Sequence, residues 1–361
     1  MVAVYNHHDS CLHPPISATT AAAAAAHRKR VLHLPFKKQH KHPPPFEPVP
    51  LLPPSTPAAS LAPSLPPPLV QHHPPIPTDP PPAPARFPPK LVETYSVEGP
   101  LGSGGFGHVH AGRRRHDSQP VAIKSIVRER VPRGCWYDDP ELGRVPVEVF
   151  VLKRVRHPAI VGFMDVFEDE QHVFLVMELH GAQWSSASPS RDLFECVERK
   201  PLAEAQARRV FRQVCEAVRY LEGVGVYHRD LKDENVVVDR EFRVKLIDFG
   251  SALVYPSMRA PPLQDRFYGT LQYAAPEVLL GRRYRPQPAE VWSLGVLLYT
   301  ILAGDMPFDD PWQAVRRPHK PLPVGIGAAC RDLVAGMLEK DPERRLCLTE
   351  ILSHPWLAAA P

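Results

Sequence analysis

No cysteine in this chain stands in a CxxC pair or at the spacing of a zinc site. The six that occur, Cys11, Cys135, Cys196, Cys215, Cys330 and Cys347, suit free thiols in a reducing compartment. There is no run of about 18 apolar residues, so no membrane span is expected. The opening Met1-Val2-Ala3-Val4-Tyr5-Asn6-His7-His8-Asp9 lacks the charged start and apolar core of a signal peptide. Strong charge of one sign is missing as well, with 43 Lys and Arg against 39 Asp and Glu. Residues 93–361 carry 35 against 36, so the formal +4 belongs to residues 1–92, which carry eight against three. A near-neutral globular part lacks the clustered basic face that nucleic-acid binding requires, and no such partner is expected. No internal repeat is visible, and nothing points to a stable oligomer; a monomer is expected.

Proline is abundant. Of 46 prolines, 24 lie in the first 90 residues, beside an alanine run from Ala21 to Ala26 and half of the 18 histidines. Apolar residues there follow neither a helical nor a strand period, so burial cannot offset the entropy of ordering them. Residues 1–91 are read as a disordered, Pro/His/Ala-rich region. Its basic cluster, Arg28-Lys29-Arg30 with Lys37, Lys38 and Lys41, fits a nuclear import signal, though a solvated charge run is the simpler reading. Cytoplasm and nucleus both remain open as locations. Pro66-Pro67-Pro68 and Pro80-Pro81-Pro82 favour polyproline II and offer a ligand for a proline-recognition module, or a plain spacer.

Near residue 92 the texture changes. Leu91-Val92-Glu93-Thr94-Tyr95-Ser96-Val97 reads as an opening strand, and Val121-Ala122-Ile123-Lys124 and Val173-Phe174-Leu175-Val176-Met177 are further short β-like runs. After residue 200 helical spacing takes over: Val210, Val214, Ala217, Val218 and Leu221 share one face, and Val291 to Leu302 is a mostly apolar, deeply buried helix. Strands first and helices later predict an α+β fold with a small β-rich lobe joined to a larger helical one.

Several short motifs carry chemistry. Leu101-Gly102-Ser103-Gly104-Gly105-Phe106-Gly107-His108-Val109 fits G-x-G-x-x-G-x-V, in which glycines let backbone close over phosphates. Dinucleotide-binding folds use a related pattern, so context decides. Here Lys124 follows on the next strand, seventeen residues after Gly107, placed to neutralise phosphate charge. A buried lysine needs an anionic partner, and Glu148 in the apolar run Val145 to Leu152 supplies one. A surface glutamate on an amphipathic helix is the plainer reading of Glu148, but apolar neighbours on both sides favour a buried face.

His228-Arg229-Asp230-Leu231-Lys232-Asp233-Glu234-Asn235 is the most specific element, matching H-R-D-x-x-x-x-N. Asp230 is the candidate base for an attacking hydroxyl, Lys232 a candidate phosphate ligand, and Asn235 a candidate metal ligand. Asp248-Phe249-Gly250 follows an apolar strand, and Asp248 is the second candidate metal ligand. Gly269-Thr270 and Ala275-Pro276-Glu277 close the series.

In this order, over about 265 residues, these motifs resemble the eukaryotic protein kinase family. The resemblance implies the bilobal kinase fold over residues 92–358: an N-lobe at about 92–177 with helix C, a hinge at about 178–181, a C-lobe at about 182–358, then a short tail, 359–361. It implies ATP and Mg2+ in the cleft. ATP contacts are implied for Leu101, Gly102, Gly104, Gly107, Val109, Ala122, Lys124, Met177, Glu178, Leu179, Val237 and Asp248, with Met177 and Val237 as walls of the adenine pocket. Phe249 is expected to pack with His228 and Leu152, and Glu277 to pair structurally with Arg345. Lys232 and Thr270 resemble serine/threonine kinases. Cys135 to Val145, His228 to Asn235 and Leu246 to Ala252 closely resemble the catalytic domain of PAS kinases; Pim kinases are also similar.

Some positions depart from the pattern. The first 90 residues are too short and proline-rich for a sensor domain, so none is expected there, and with only Ala358 to Pro361 after the last motif no autoinhibitory helix is expected at that end. Arg266 stands where many kinases phosphorylate a threonine; Asp265 beside it could stand in for a phosphate near Arg229, so activity is expected without activation-loop phosphorylation. Glu290 replaces the aspartate that usually braces the catalytic loop. Ala182 to Ser190 reads as an insertion without an assigned role. Asp192, Glu195 and Glu234 match acids that face the substrate in related kinases, which implies Ser/Thr protein substrates with arginine about three residues upstream; Asp192 bonding only the ribose is the alternative. Two other functions stay open: a pseudokinase, and an adaptor working through its proline-rich tail.

Overall fold

The computed structural model describes residues 86–183, 191–256 and 261–358. The expected disorder of 1–91 lies, up to residue 85, outside the described residues, as do most of the 182–190 insertion and the tail 359–361. The expected opening strand is instead a helix for its first half: α1 spans Pro89–Thr94 and β1 begins only at Tyr95. Proline at the first helical positions is pre-set for a helix start and needs no N–H there. Leu91, placed by sequence in the disordered region, is fully buried.

The small lobe is built on one antiparallel sheet in the order β1-β2-β3-β7-β6. Its strands are β1 (Tyr95–Gly104), β2 (Gly107–Arg114), β3 (Pro120–Val127), β6 (Phe163–Glu168) and β7 (His172–Glu178). Between β3 and β6 lie a separate hairpin, β4 (Trp136–Asp139) with β5 (Gly143–Pro146), and the short helix α2 (Val147–Leu152). Register fixes which side chains meet. Ala111, Ala122 and Met177 are directly opposite one another, and two residues along so are Val109, Lys124 and Leu175. Opposed residues share a face and the period is two, so these six point to one side. Val121, Ile123, Phe174 and Val176 point to the other, where they pack with Leu91 and Tyr95 in a small separate core.

The large lobe is helical: α3 (Leu193–Arg199), α4 (Glu204–Gly223), α5 (Pro276–Leu279), α6 (Pro286–Ala303), α7 (Gln313–Arg316), α8 (Ala328–Met337), α9 (Leu348–Ser353) and α10 (Pro355–Ala358). As the spacing predicts, α4 buries Val210, Val214, Ala217, Val218 and Leu221. From Val291 to Leu302 only Ser293 of α6 is not buried, because the helix runs through the middle of the lobe. It is stopped by Gly304 in the left-handed conformation. Two short ribbons carry the site: β8 (Val226–Tyr227) pairs with β11 (Leu253–Val254), and β9 (Val236–Val238) with β10 (Val244–Leu246). No helix among the described residues is long and apolar enough to cross a membrane.

Candidate active site

The glycine-rich loop is the β1–β2 hairpin, and its glycines do different work. A Cβ on Gly102 or Gly104 would meet nothing within 4 Å, so backbone there is open to a ligand. A Cβ on Gly107 would sit 1.6 Å from the Ser125 carbonyl oxygen. Gly107 is thus required by the close approach of β2 to β3, a structural reason that the motif alone does not reveal. At the loop tip Phe106 drops onto the far wall, where a Cβ on Gly250 would lie 2.8 Å from its ring. Sequence reasoning gave Phe106 no role, because the contact spans residues remote in the chain.

Lys124 and Glu148 meet as expected. Lys124 Nζ donates to both carboxylate oxygens of Glu148 at 2.8 Å and to Asp248 Oδ1 at 2.9 Å. Lys124 is 6% and Glu148 2% exposed, so an uncompensated charge here would be costly. Burial alone would discharge the lysine, but Asp248 and Glu148 outweigh it and raise its pKa. Asp248 has the left-handed backbone, φ 59°, that a non-glycine residue adopts only where its surroundings enforce it. Burial opposes its charge, and Lys124 overcomes burial to hold the carboxyl below its ordinary value. Phe249 packs on His228 with ring centroids 4.7 Å apart, and both it and Leu152 are fully buried.

At the hinge, Glu178 N–H donates to the Gly162 carbonyl and its side chain pairs with Lys245 at 2.7 Å. The Glu178 side chain is therefore tied across the hinge to β10 of the large lobe. Beyond the hinge the chain runs along β9, with Ala182 N–H donating to Val238 and Asp192 bridging Val237. Val237 is half-buried between buried Val236 and Val238, as one residue in two must be when a strand shows one face to a cleft.

In the catalytic loop, Asp230 Oδ1 accepts from Thr270 N–H at 2.9 Å and Thr270 Oγ1–H at 2.8 Å. Asn235 Nδ2 donates to the Asp230 carbonyl at 2.8 Å and to Oδ2 at 3.0 Å. Both Asn235 donors are thereby used, and its Oδ1 is left as an acceptor. Lys232 Nζ stands 3.8 Å from Asp230 Oδ2 and 2.5 Å from Glu234 Oε2. His228 is buried and uncharged in tendency, donating Nε2–H to the Ile247 carbonyl at 2.9 Å. Asp233, which the motif reading left without a role, accepts the Tyr273 hydroxyl at 2.9 Å.

One expectation around Arg229 needs correction. Asp265 is exposed and makes no ion pair with Arg229 among the described residues. The guanidinium instead donates to the Ser251 carbonyl at 2.8 Å and lies over the Tyr268 ring at 4.9 Å, so neutral groups fill the place a phosphate-like charge was expected to take. Glu290 does brace the loop despite its extra methylene, accepting Arg229 N–H at 2.9 Å. Its burial pushes the carboxyl up to about 7, against the pull of that N–H. The structural pair is present: Arg345 donates to Glu277 at 2.8 and 2.9 Å.

The acids assigned to substrate are on neighbouring elements. Asp192 caps α3, accepting Glu195 N–H at 2.9 Å, and α3 packs against the turn Asp233–Asn235 that carries Glu234. Glu234 is exposed but already paired with Lys232. The site as a whole offers oxygen donors from Asp248 and Asn235, a buried ammonium, and a carboxylate, Asp230, aligned by two partners. That donor set suits a hard cation bound together with phosphate oxygens, which needs few protein ligands. No cluster of three or more His, Cys, Asp or Glu able to hold a metal by itself occurs among the described residues.

Comparison with known proteins agrees. Residues 95–357 match the family model described as "Protein kinase domain". The chain is 39% identical over 267 residues, 73% of its length, to the PAS domain-containing serine/threonine-protein kinase of Mus musculus, of which it covers 18%. It is 38% identical over 274 residues, 73% of its length, to the serine/threonine-protein kinase pim-2 of Danio rerio, of which it covers 84%. With the CBL-interacting serine/threonine-protein kinase 13 of Arabidopsis thaliana it shares 34% identity over 272 residues, 74% of this chain and 51% of that one. The chain thus spans about a fifth to a half of two of these relatives and most of the third. It belongs to the protein kinase family, in its eukaryotic serine/threonine branch.

Proposed function

We propose that the protein transfers the γ-phosphoryl group of ATP to serine or threonine hydroxyls of protein substrates. The observation that carries this reading is the alignment of Asp230 by Thr270 and Asn235, beside an intact Lys124–Glu148–Asp248 cluster. ATP enters as substrate, its purine against Ala122, Met177 and Val237 and the hinge at Glu178 and Leu179, its phosphates under Gly102 and Gly104. Mg2+ held by Asp248 and Asn235 would neutralise phosphate charge. Asp230 takes the proton from the acceptor hydroxyl. The acceptor oxygen then bonds to the γ-phosphorus while the bond to the bridging oxygen breaks, and ADP leaves with that electron pair. Lys232 stabilises charge on the transferring group, and Lys124 orients the phosphates.

The substrate class follows from the acids. Asp192, Glu195 and Glu234 lie on elements packed together near the acceptor side, so a basic segment with arginine upstream of the Ser or Thr fits best. With Glu234 paired to Lys232 and Asp192 capping α3, Glu195 is the main reader. The protein acts as a monomer in this reading, in cytoplasm, nucleus or both, with the Arg28–Arg30 cluster and the proline-rich stretches as addresses for import factors or proline-recognition modules.

The test is phosphorylation of an arginine-containing serine peptide by wild type and Asp230→Ala. Transfer by wild type and its loss by at least about 100-fold in the variant is expected. A folded wild type that binds Mg-ATP and phosphorylates no member of a peptide library sinks the proposal. A library profile without enrichment for upstream arginine removes the substrate class alone.

A further inference from the structure

Asp233 is a carboxylate in the catalytic loop that the transfer reaction does not use. It is 5% exposed, so a carboxylate there is unfavourable unless its hydrogen bonds hold it. It has two partners: the Tyr273 hydroxyl at 2.9 Å and Glu234 N–H at 3.0 Å. Tyr273 is itself 6% exposed and is anchored from behind, its carbonyl accepting Ser293 Oγ–H of α6 at 2.9 Å.

The spacing gives this pair its significance. Thr270 meets Asp230, and Tyr273 meets Asp233, so the loop and the following segment touch twice at the same offset of 40 residues. Both partners of the second contact lie in single tight turns, Asp233–Asn235 and Leu271–Tyr273. A single contact at Asp230 would leave the segment free to pivot about the reacting carboxylate. A second contact three residues along removes that freedom, and α6 fixes it to the body of the lobe. Neither side chain belongs to the cluster of Lys124, Glu148 and Asp248 that would meet the nucleotide.

We propose that Asp233 and Tyr273 are positioning residues for the phosphoacceptor: their buried hydrogen bond sets the angle of the segment 270–273 against Asp230 and leaves nucleotide binding alone. This rests on the kinase reading above. Its consequence is selective. Loss of the contact lowers turnover and affinity for peptide, while affinity for Mg-ATP stays.

The experiment uses the full chain and the arginine-containing serine peptide. Tyr273→Phe removes one oxygen and keeps the ring. We expect kcat/KM for peptide to fall roughly tenfold, with the Kd for Mg-ATP within about twofold of wild type. Asp233→Ala should reproduce the loss, and Asp233→Asn, which keeps the Oδ1 acceptor, should restore most of it. Unchanged peptide kinetics in Tyr273→Phe and Asp233→Ala overturn the inference. A parallel fall in Mg-ATP affinity, or a failure of Asp233→Asn to differ from Asp233→Ala, also overturns it by showing a general structural role. Should wild type itself transfer no phosphate, the kinase reading fails instead, and the two failures are distinct.

Discussion

At the residue scale, the catalytic cluster works because opposed charges share a dry space. Lys124 keeps its proton only because Glu148 and Asp248 face it. Glu148→Gln keeps the shape and removes one charge; Asp248 then holds the ammonium alone and draws it away from the phosphates. The expected result is a loss of about 10- to 100-fold in kcat/KM with the fold retained, checked by peptide phosphorylation beside a melting curve. Glu290 makes a second prediction. Its carboxyl titrates near 7 when folded, against 4.5 ordinarily, so the folded state holds the proton more tightly. Stability from this group is full below about pH 4.5 and is lost as pH rises through about 7, by up to about 3 kcal/mol. Glu290→Gln cannot lose a proton, and its melting temperature should gain on wild type between pH 5 and 7.5. Parallel pH profiles would refute this.

At the element scale, α2 is only six residues long, and the hairpin β4–β5 in front of it supplies its support. Asp139 of β4 is buried and pairs at 2.7 Å with Lys153 and with Arg154, just past the end of α2. Burial opposes its charge, yet Lys153, the N–H groups of Leu142 and Glu141, and Arg154 hold its carboxyl at about 2. Arg154 also covers the Phe150 ring at 3.7 Å, and Tyr137 of the hairpin packs tilted against that same ring with centroids 5.0 Å apart. Asp139→Asn should cost about 1–3 kcal/mol, read by denaturant unfolding, and should lower kcat because a loosened α2 lets Glu148 withdraw from Lys124. Destabilisation without a kinetic effect would uncouple the hairpin from Glu148. The residues of the cleft were legible because the chemistry fixes their types within short stretches. Glu148, Asp230, Asn235 and Asp248 all stand where the motifs put them. The hairpin and the Asp233–Tyr273 contact were not, because each depends on partners far along the chain whose pairing leaves no local pattern.

At the scale of the whole molecule, the order of strands and helices gave both lobes, but the edge of the folded unit was set five residues too late. Composition changes near residue 92, whereas packing begins at Phe87, whose ring lies 5.7 Å from Phe174 and 5.4 Å from His110. Phe87 and Leu91 cover the face of the sheet turned away from the cleft, with Tyr95, Val121, Ile123, Phe174 and Val176. The adjoining prolines hide this in the sequence, since Pro88 and Pro89 prolong the texture of the preceding region while starting α1. Two truncations separate these readings. Removing residues 1–85 keeps the whole cover and should leave the melting temperature and peptide phosphorylation within error of the full chain. Removing residues 1–91 strips Phe87 and Leu91 from the small core and should cost at least about 3 kcal/mol. The lost support lies behind Lys124 on β3, so Mg-ATP affinity should fall with stability. Equal melting temperatures for the two truncations would mean that α1 adds nothing to the fold, and loss of peptide phosphorylation in the shorter truncation would move the function towards the proline-rich tail.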